Sequence, residues 1–291
     1  MDSRPFRSVL YIPGSKARAL EKAVTLPADA IIFDLEDAVT PSEKAPARAL
    51  LARTLQCSDF GARAGLVRIN ALSSAWGEDD LRAVAVARPE AVVLPKVDCA
   101  ADVATLAKLM DGLPGLDETR IWAMMETPLG VLNAESIARA PRMAGFVMGT
   151  NDLAKDIGAR TCPDRMPLLA ALQIPLLAAR AHGLVAVDGV FNAFRDEDGL
   201  RAECEQGRDM GFDGKTLIHP AQLAVANAVF APTSAETDLA RRQIAAFDAA
   251  AAQGEGVAVV DGKIVENLHI VTAKQTLARA DAIARLHEDS Q

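Results

Sequence analysis

The sequence predicts an α/β fold, a (β/α)8 TIM barrel carrying a C-terminal extension of helices and a hairpin that serves as a lid. Three observations predict it. Short β-rich runs alternate with longer Ala/Leu/Arg-rich helical stretches roughly eight times over about 220 residues, the unit count and size of such a barrel. The runs are near-continuously apolar, as parallel strands covered by helices read. Nearly every run also begins apolar and ends polar, which in a barrel gathers the polar residues at one mouth, where active sites of this architecture sit. An open doubly wound sheet is the alternative, weakened because no G-x-G-x-x-G follows the first run.

The elements follow in order. SVLYIPG (8–14) is apolar until Pro13-Gly14 stops it, and the helical SKARALEKAV comes next. AIIFDLED (30–37) ends in Asp34, Glu36 and Asp37, and EKAPARALLARTL returns with apolar residues at i, i+3, i+4. GLVRIN (65–70) ends in Arg68 and Asn70. AVVLPKV (91–97) ends in Lys96 and precedes AADVATLAKLM. RIWAMMET (120–127) ends in Glu126-Thr127, GFVMGTNDL (145–153) in Asn151-Asp152, LVAVDGVF (184–191) in Asp188, and GKTLIHP (214–220) in Lys215 and His219. After residue 221 the pattern changes. AQLAVANAVFA and SAETDLARRQIAAFDAAAAQG read as helices, VAVVDGKIVE as a hairpin around Asp261-Gly262, and NLHIVTAKQTLARADAIARL as a closing amphipathic helix. The expected division is a catalytic barrel over 1–228 and a lid and oligomerisation extension over 229–291.

Composition narrows the function. A net charge of -8 and 4% aromatic residues argue against a nucleic-acid partner. No apolar stretch is long enough to span a membrane, so a soluble cytoplasmic protein is expected. Cys57, Cys99, Cys162 and Cys204 form no CxxC pair and make no local zinc spacing with His182, His219, His269 or His287, which reads as reduced thiols. GRDMGFDGKT has Asp209 where a phosphate loop needs its first glycine, and PGSKA lacks the glycines of a nucleophile elbow. His182 before Gly183 reads as a helix end.

Several acids in one mouth are costly unless something positive joins them. Oxygen donors without a His/Cys cluster favour Mg2+ over zinc. Glu126 and Asp152, on adjacent runs, are the expected metal ligands, with Glu36 and Asp37 as neighbouring or proton-handling groups. Any one of these acids could instead be a helix N-cap. Arg68 could fork onto a substrate carboxylate or pair internally with the acids of the second run. Lys96 and Lys215 could be structural counter-ions in the mouth.

Taken together, RSVLYIPGS, FDLEDAV, VRIN, LPKV, MMETPLG, GTNDLA and IHPAQ, spanning residues 7 to 222, resemble in identity and order the HpcH/HpaI aldolase and citrate lyase β-subunit-like family. The tail DGKIVENLH resembles that family's lid. The resemblance implies a magnesium-dependent barrel, a homotrimer or hexamer, acting on a small-molecule acyl-CoA. By position it implies Glu126 and Asp152 as metal carboxylates, with Glu126 also facing substrate. It implies Arg68 as the grip on the substrate carboxylate and Glu36 and Asp37 as the catalytic acidic pair. It further implies Lys16 and Lys22 near the CoA phosphates. Glu266 stands where lyases of the family carry a lid aspartate, and its longer side chain speaks against efficient lyase chemistry. The implied reaction is hydrolysis of malyl-CoA to malate and CoA. The alternatives are C–C cleavage of malyl-, β-methylmalyl- or citramalyl-CoA, a CoA-independent hydroxy-keto-acid aldolase, and a non-catalytic subunit.

Overall fold

A computed structural model gives the fold and describes residues 4–160 and 162–288; positions 1–3, 161 and 289–291 of the two expected domains lie outside the described residues. Eight parallel strands close into a barrel in chain order. They are β1 Ser8–Pro13, β2 Ala30–Asp34, β3 Ala64–Arg68, β4 Ala91–Leu94, β5 Arg120–Met125, β6 Met143–Met148, β7 Val185–Asp188 and β8 Gly214–Leu217. The ring closes where β1 pairs with β8, Ser8 opposite Lys215 and Leu10 opposite Leu217. Each strand is followed by helix, for example Lys44–Cys57 after β2, Ala100–Asp111 after β4, Leu169–His182 before β7 and Glu197–Met210 after it.

The interior is filled by every second strand residue: Val9, Ala30, Ile32, Ala64, Leu66, Ala91, Val93, Trp122, Met124, Val147 and Val187. The intervening residues, such as Ile31 and Phe33 of β2, are also fully buried, which explains the unbroken apolar runs. Burying each such large aliphatic side chain contributes about 1.5–3 kcal/mol. Trp122 fits because its neighbour across the β5–β6 ladder is Gly145, where a Cβ would lie 2.5 Å from the indole.

The strands are shorter at their C-terminal ends than the sequence predicts. β2 stops at Asp34 rather than residue 37, and β6 stops at Met148 rather than 153. Glu36, Asp37, Lys96, Glu126 and Asp152 therefore sit on the turns that leave the strands, and Asp152 lies in the first turn of helix Thr150–Asp156.

The described chain divides into two compact units, Phe6–Ala228 and a second made of residues 4–5 with the chain from Val229 onward, so the first residues group with the extension rather than with the barrel as expected. The second unit contains helix Ser234–Ala251, an antiparallel hairpin of β9 Ala258–Val260 and β10 Lys263–Val265, and helix Asn267–Glu288. Thr233 and Glu236 close a capping box on its first helix. Asp261 at φ 51° and Gly262 at φ 73° form the two-residue turn, the left-handed pair that matches strand twist in a tight hairpin. Ala250, Ala258, Val260, Val265 and Ile270 are its small core. Among the described residues all four cysteines are free, and no helix is long and apolar enough to cross a membrane.

Candidate active site

Five successive strand ends supply the site, because positions 34, 68 and 126 continue the inward series of β2, β3 and β5 past Ile32, Leu66 and Met124. Arg68 is its hub. Its Nε and Nη2 donate to Asp34 Oδ1 and Oδ2 at 2.8 and 2.7 Å, the side-on fork geometry that suits guanidinium and carboxylate. Nη1 lies 2.8 Å from Glu36 Oε2 and 3.6 Å from Asp37 Oδ2. The ring of Tyr11 lies under the guanidinium, 4.9 Å from its centroid to Cζ.

Asp34 is satisfied on both oxygens, since it also accepts from the backbone N–H groups of Glu36 and Ala38 at 2.8 and 3.1 Å. It thereby fixes the turn that carries Glu36. Lys44 completes that turn from below, donating Nζ to the carbonyls of Leu35 and Glu36 at 2.9 and 2.7 Å. The internal pairing of Arg68 with the acids of the second run, one of the two readings the sequence offers, is present, with Asp34 as the clamp. Sequence reasoning missed Lys44 and Tyr11 altogether. The alternation of β2 contained the signal for Asp34; nothing local marked the other two.

Glu36 is 8% exposed. Its Oε2, though close to Arg68, lies out of line and accepts no hydrogen bond. Burial pushes its carboxyl up to about 8, against the pull of Arg68 and with help from the charges of Asp37, Glu126 and Asp34. Asp37 is on the solvent side of the same turn, its side chain 65% exposed. Burial likewise holds the Tyr11 hydroxyl far above its ordinary range.

Glu126 and Asp152 come together around Lys96. Glu126 is buried and accepts the Lys96 backbone N–H at 2.7 Å. The Lys96 ammonium lies 2.6 Å from Asp152 Oδ2 and 3.4 Å from Glu126 Oε1. Burial raises the Glu126 carboxyl above its ordinary value, with Lys96 pulling the other way. Asp152 is held below its ordinary value: burial opposes this, but hydrogen bonding and charge from Lys96 prevail. Gly149 leaves the room for this arrangement, since a Cβ there would stand 2.3 Å from Glu126 Cβ and 2.7 Å from its Oε2.

This donor set fits a hard divalent cation. Glu126 and Asp152 share one positive partner, the Lys96 ammonium, and two carboxylates with oxygen-only donors suit a cation of that kind. Among the described residues no three His, Cys, Asp or Glu side chains form a complete cage, so the protein would supply only part of a coordination shell.

Several expected mouth residues are elsewhere or structural. Asp188 and Lys215 occupy the outward positions of β7 and β8 and point away from the mouth into the helix layer. There Lys215 Nζ lies 3.0 Å from Asp188 and 2.6 Å from Glu203, with Arg165 2.8 Å from Asp188. Lys215 is thus a counter-ion, but behind the barrel wall. Asn70 binds Leu35 O and Asp80, Thr127 caps helix Pro128–Leu132, and Asn151 pairs with Asn192. His219 Nδ1 accepts from Ala221 N–H while its ring stacks on Phe194. Lys16 and Lys22 are exposed at opposite ends of helix Ala17–Ala23, about 9 Å apart along its axis. Glu266 is exposed in the second unit, immediately before helix Asn267–Glu288, where its N–H donates to His269 Nδ1.

The HpcH/HpaI aldolase/citrate lyase family model matches residues 7–220. The chain is 64% identical over 282 residues, 97% of each chain, to the (3S)-malyl-CoA thioesterase of Cereibacter sphaeroides. It is 37% identical to the citrate lyase subunit beta of Escherichia coli, covering 96% of this chain and 94% of that one. Among solved structures it resembles CitE from Mycobacterium tuberculosis in complex with magnesium, acetoacetate and coenzyme A. The TM-score is 0.80 at 29% identity, over 96% of this chain and 99% of that one.

Proposed function

The chain belongs to the HpcH/HpaI aldolase/citrate lyase family, and on that premise we propose that it hydrolyses (3S)-malyl-CoA to malate and CoA, as a magnesium-dependent, cytoplasmic homotrimer or hexamer. The observation that carries this reading is the 64% identity to a (3S)-malyl-CoA thioesterase over 97% of both chains.

Glu126 and Asp152 are the residues that would hold the ion. Bound Mg2+ supplies a Lewis acid for substrate oxygens. Asp34 occupies the Nε–Nη2 edge of Arg68, and the substrate's free carboxylate would bind on the Nη1 side, sharing it with Glu36 and Asp37. Glu36, whose carboxyl holds its proton up to about pH 8, can donate to a thioester or carboxylate oxygen. Asp37, in contact with solvent and 3.6 Å from the same guanidinium, exchanges that proton with water. Glu266 serves as the third acid, and Lys16 and Lys22 take the CoA phosphates.

The test is incubation of the purified protein with malyl-CoA and Mg2+, with free thiol, malate and glyoxylate measured separately. The expected result is thiol and malate in equal amounts without glyoxylate, abolished by chelator and by Glu126→Ala. Acetyl-CoA with glyoxylate would instead establish the C–C lyase reading, which the 37% identity to a citrate lyase subunit supports. Full turnover in chelator would remove the metal from the mechanism.

A further inference from the structure

Lys96 is built unlike the other lysines of the barrel. Its backbone is left-handed at φ 54°, a conformation that residues with a side chain seldom adopt. That turn lets one residue address both acids from two different atoms. The main-chain N–H binds Glu126 Oε1 at 2.7 Å, and the ammonium bridges Asp152 Oδ2 at 2.6 Å and Glu126 Oε1 at 3.4 Å. The side chain is 38% exposed, so its flexible stem can carry the charge into water. Lys215, by contrast, is fully enclosed between Asp188 and Glu203, and Lys44 is locked onto two carbonyls.

An ammonium on these two carboxylates contends for the same oxygens as a divalent cation. We propose that Lys96 is the exchangeable counter-ion of the cation site: its ammonium holds Glu126 and Asp152 together until a divalent cation takes their oxygens, and then swings to solvent. Its backbone N–H keeps Glu126 in place throughout. Lys96 is thus a positioning residue that sets metal affinity without being a ligand, and every metal-binding event includes breaking the Lys96–Asp152 pair. This rests on the proposed reading only in taking Glu126 and Asp152 as the metal carboxylates.

The experiment is Mg2+ titration calorimetry and thermal melting of the wild type and Lys96→Met, which keeps an unbranched stem and the backbone N–H. The expected result is Mg2+ binding about five-fold or more tighter in the variant. Its melting temperature should be lower than wild type in chelator and restored by saturating Mg2+. In parallel, an amine-acylating reagent applied to the wild type should modify Lys96 faster when Mg2+ is present, read by peptide mass spectrometry. This second measurement does not depend on the variant folding. Equal or weaker Mg2+ binding by a folded Lys96→Met, or Lys96 acylation unchanged by Mg2+, would overturn the proposal. A wild type that takes up no Mg2+ at all would overturn the metal reading itself, an outcome distinguishable because no binding heat precedes the comparison.

Discussion

Glu36 shows how much of the site's chemistry is decided by one residue's surroundings. Its sequence neighbours Asp34 and Asp37 suggest three equivalent acids, yet each has a separate fate. Asp34 is consumed by Arg68 and two backbone donors, Asp37 faces water, and Glu36 is buried with an oxygen that accepts no hydrogen bond. Its carboxyl rises from 4.5 to about 8 on folding. Between those values the native protein holds a proton that the unfolded chain has released. The stabilisation is therefore full below about pH 4.5 and is lost as pH rises through about 8. In chelator, Glu36→Gln should flatten the fall in unfolding free energy between about pH 5 and 8 and should be more stable than wild type at the alkaline end. Urea midpoints across that range measure it; a curve parallel to wild type would mean that Glu36 is ionised throughout. Some slope should remain, because burial also raises Glu126. The cluster was legible in the sequence; the division of labour within it was not, since it depends on Arg68, which arrives from another strand.

At the scale of elements, the eight strands were legible because each carries its own apolar run, but their ends and faces were not. Asp34 and Arg68 close their strands, but Glu36, Asp37, Lys96, Glu126 and Asp152, which the sequence attached to strands, belong to the turns that leave them. Asp152 reaches the site from a helix's first turn rather than from the β6 ladder. Asp188 and Lys215 were misplaced because both faces of a parallel barrel strand are apolar. Nothing in VAVD or GKTL shows which positions face inward until the neighbouring strands fix the register. The turn after β6 gives a sharper case. GTNDLA drew attention to Asp152, but the residue that makes room for Glu126 is Gly149. Gly149→Ala puts a methyl where Glu126 Cβ already stands, so either the turn or the acid must shift. The expected outcome is at least a roughly ten-fold fall in kcat and weaker Mg2+ binding, since a misplacement of about 1 Å at a catalytic group can cost about a hundred-fold. Near-wild-type values for both would mean that the turn yields and Glu126 stays.

At the scale of the whole molecule, the chain builds two units with separate cores, one around the barrel axis and one around the hairpin and its helices. The barrel was readable because it is assembled from βα repeats in which each strand pairs with the next in chain order. The extension was readable element by element for a similar reason, with Asp261-Gly262 marking the hairpin. The proposed role of the extension rests on Glu266, an exposed acid immediately before helix Asn267–Glu288. Its chemistry can be tested through its length. Relatives that cleave C–C bonds are expected to carry aspartate here, one methylene shorter. If Glu266 directs water to the thioester, Glu266→Ala should lower kcat for CoA release at least roughly ten-fold, the scale of a lost general acid or base. Mg2+ affinity and melting temperature should stay unchanged, because the side chain is exposed. Glu266→Asp should then restore turnover while moving part of the product from malate to glyoxylate, read by assaying both from one incubation. Malate output from Glu266→Ala equal to wild type would take the second unit out of the chemistry and leave hydrolysis to Glu36 and Asp37 of the barrel.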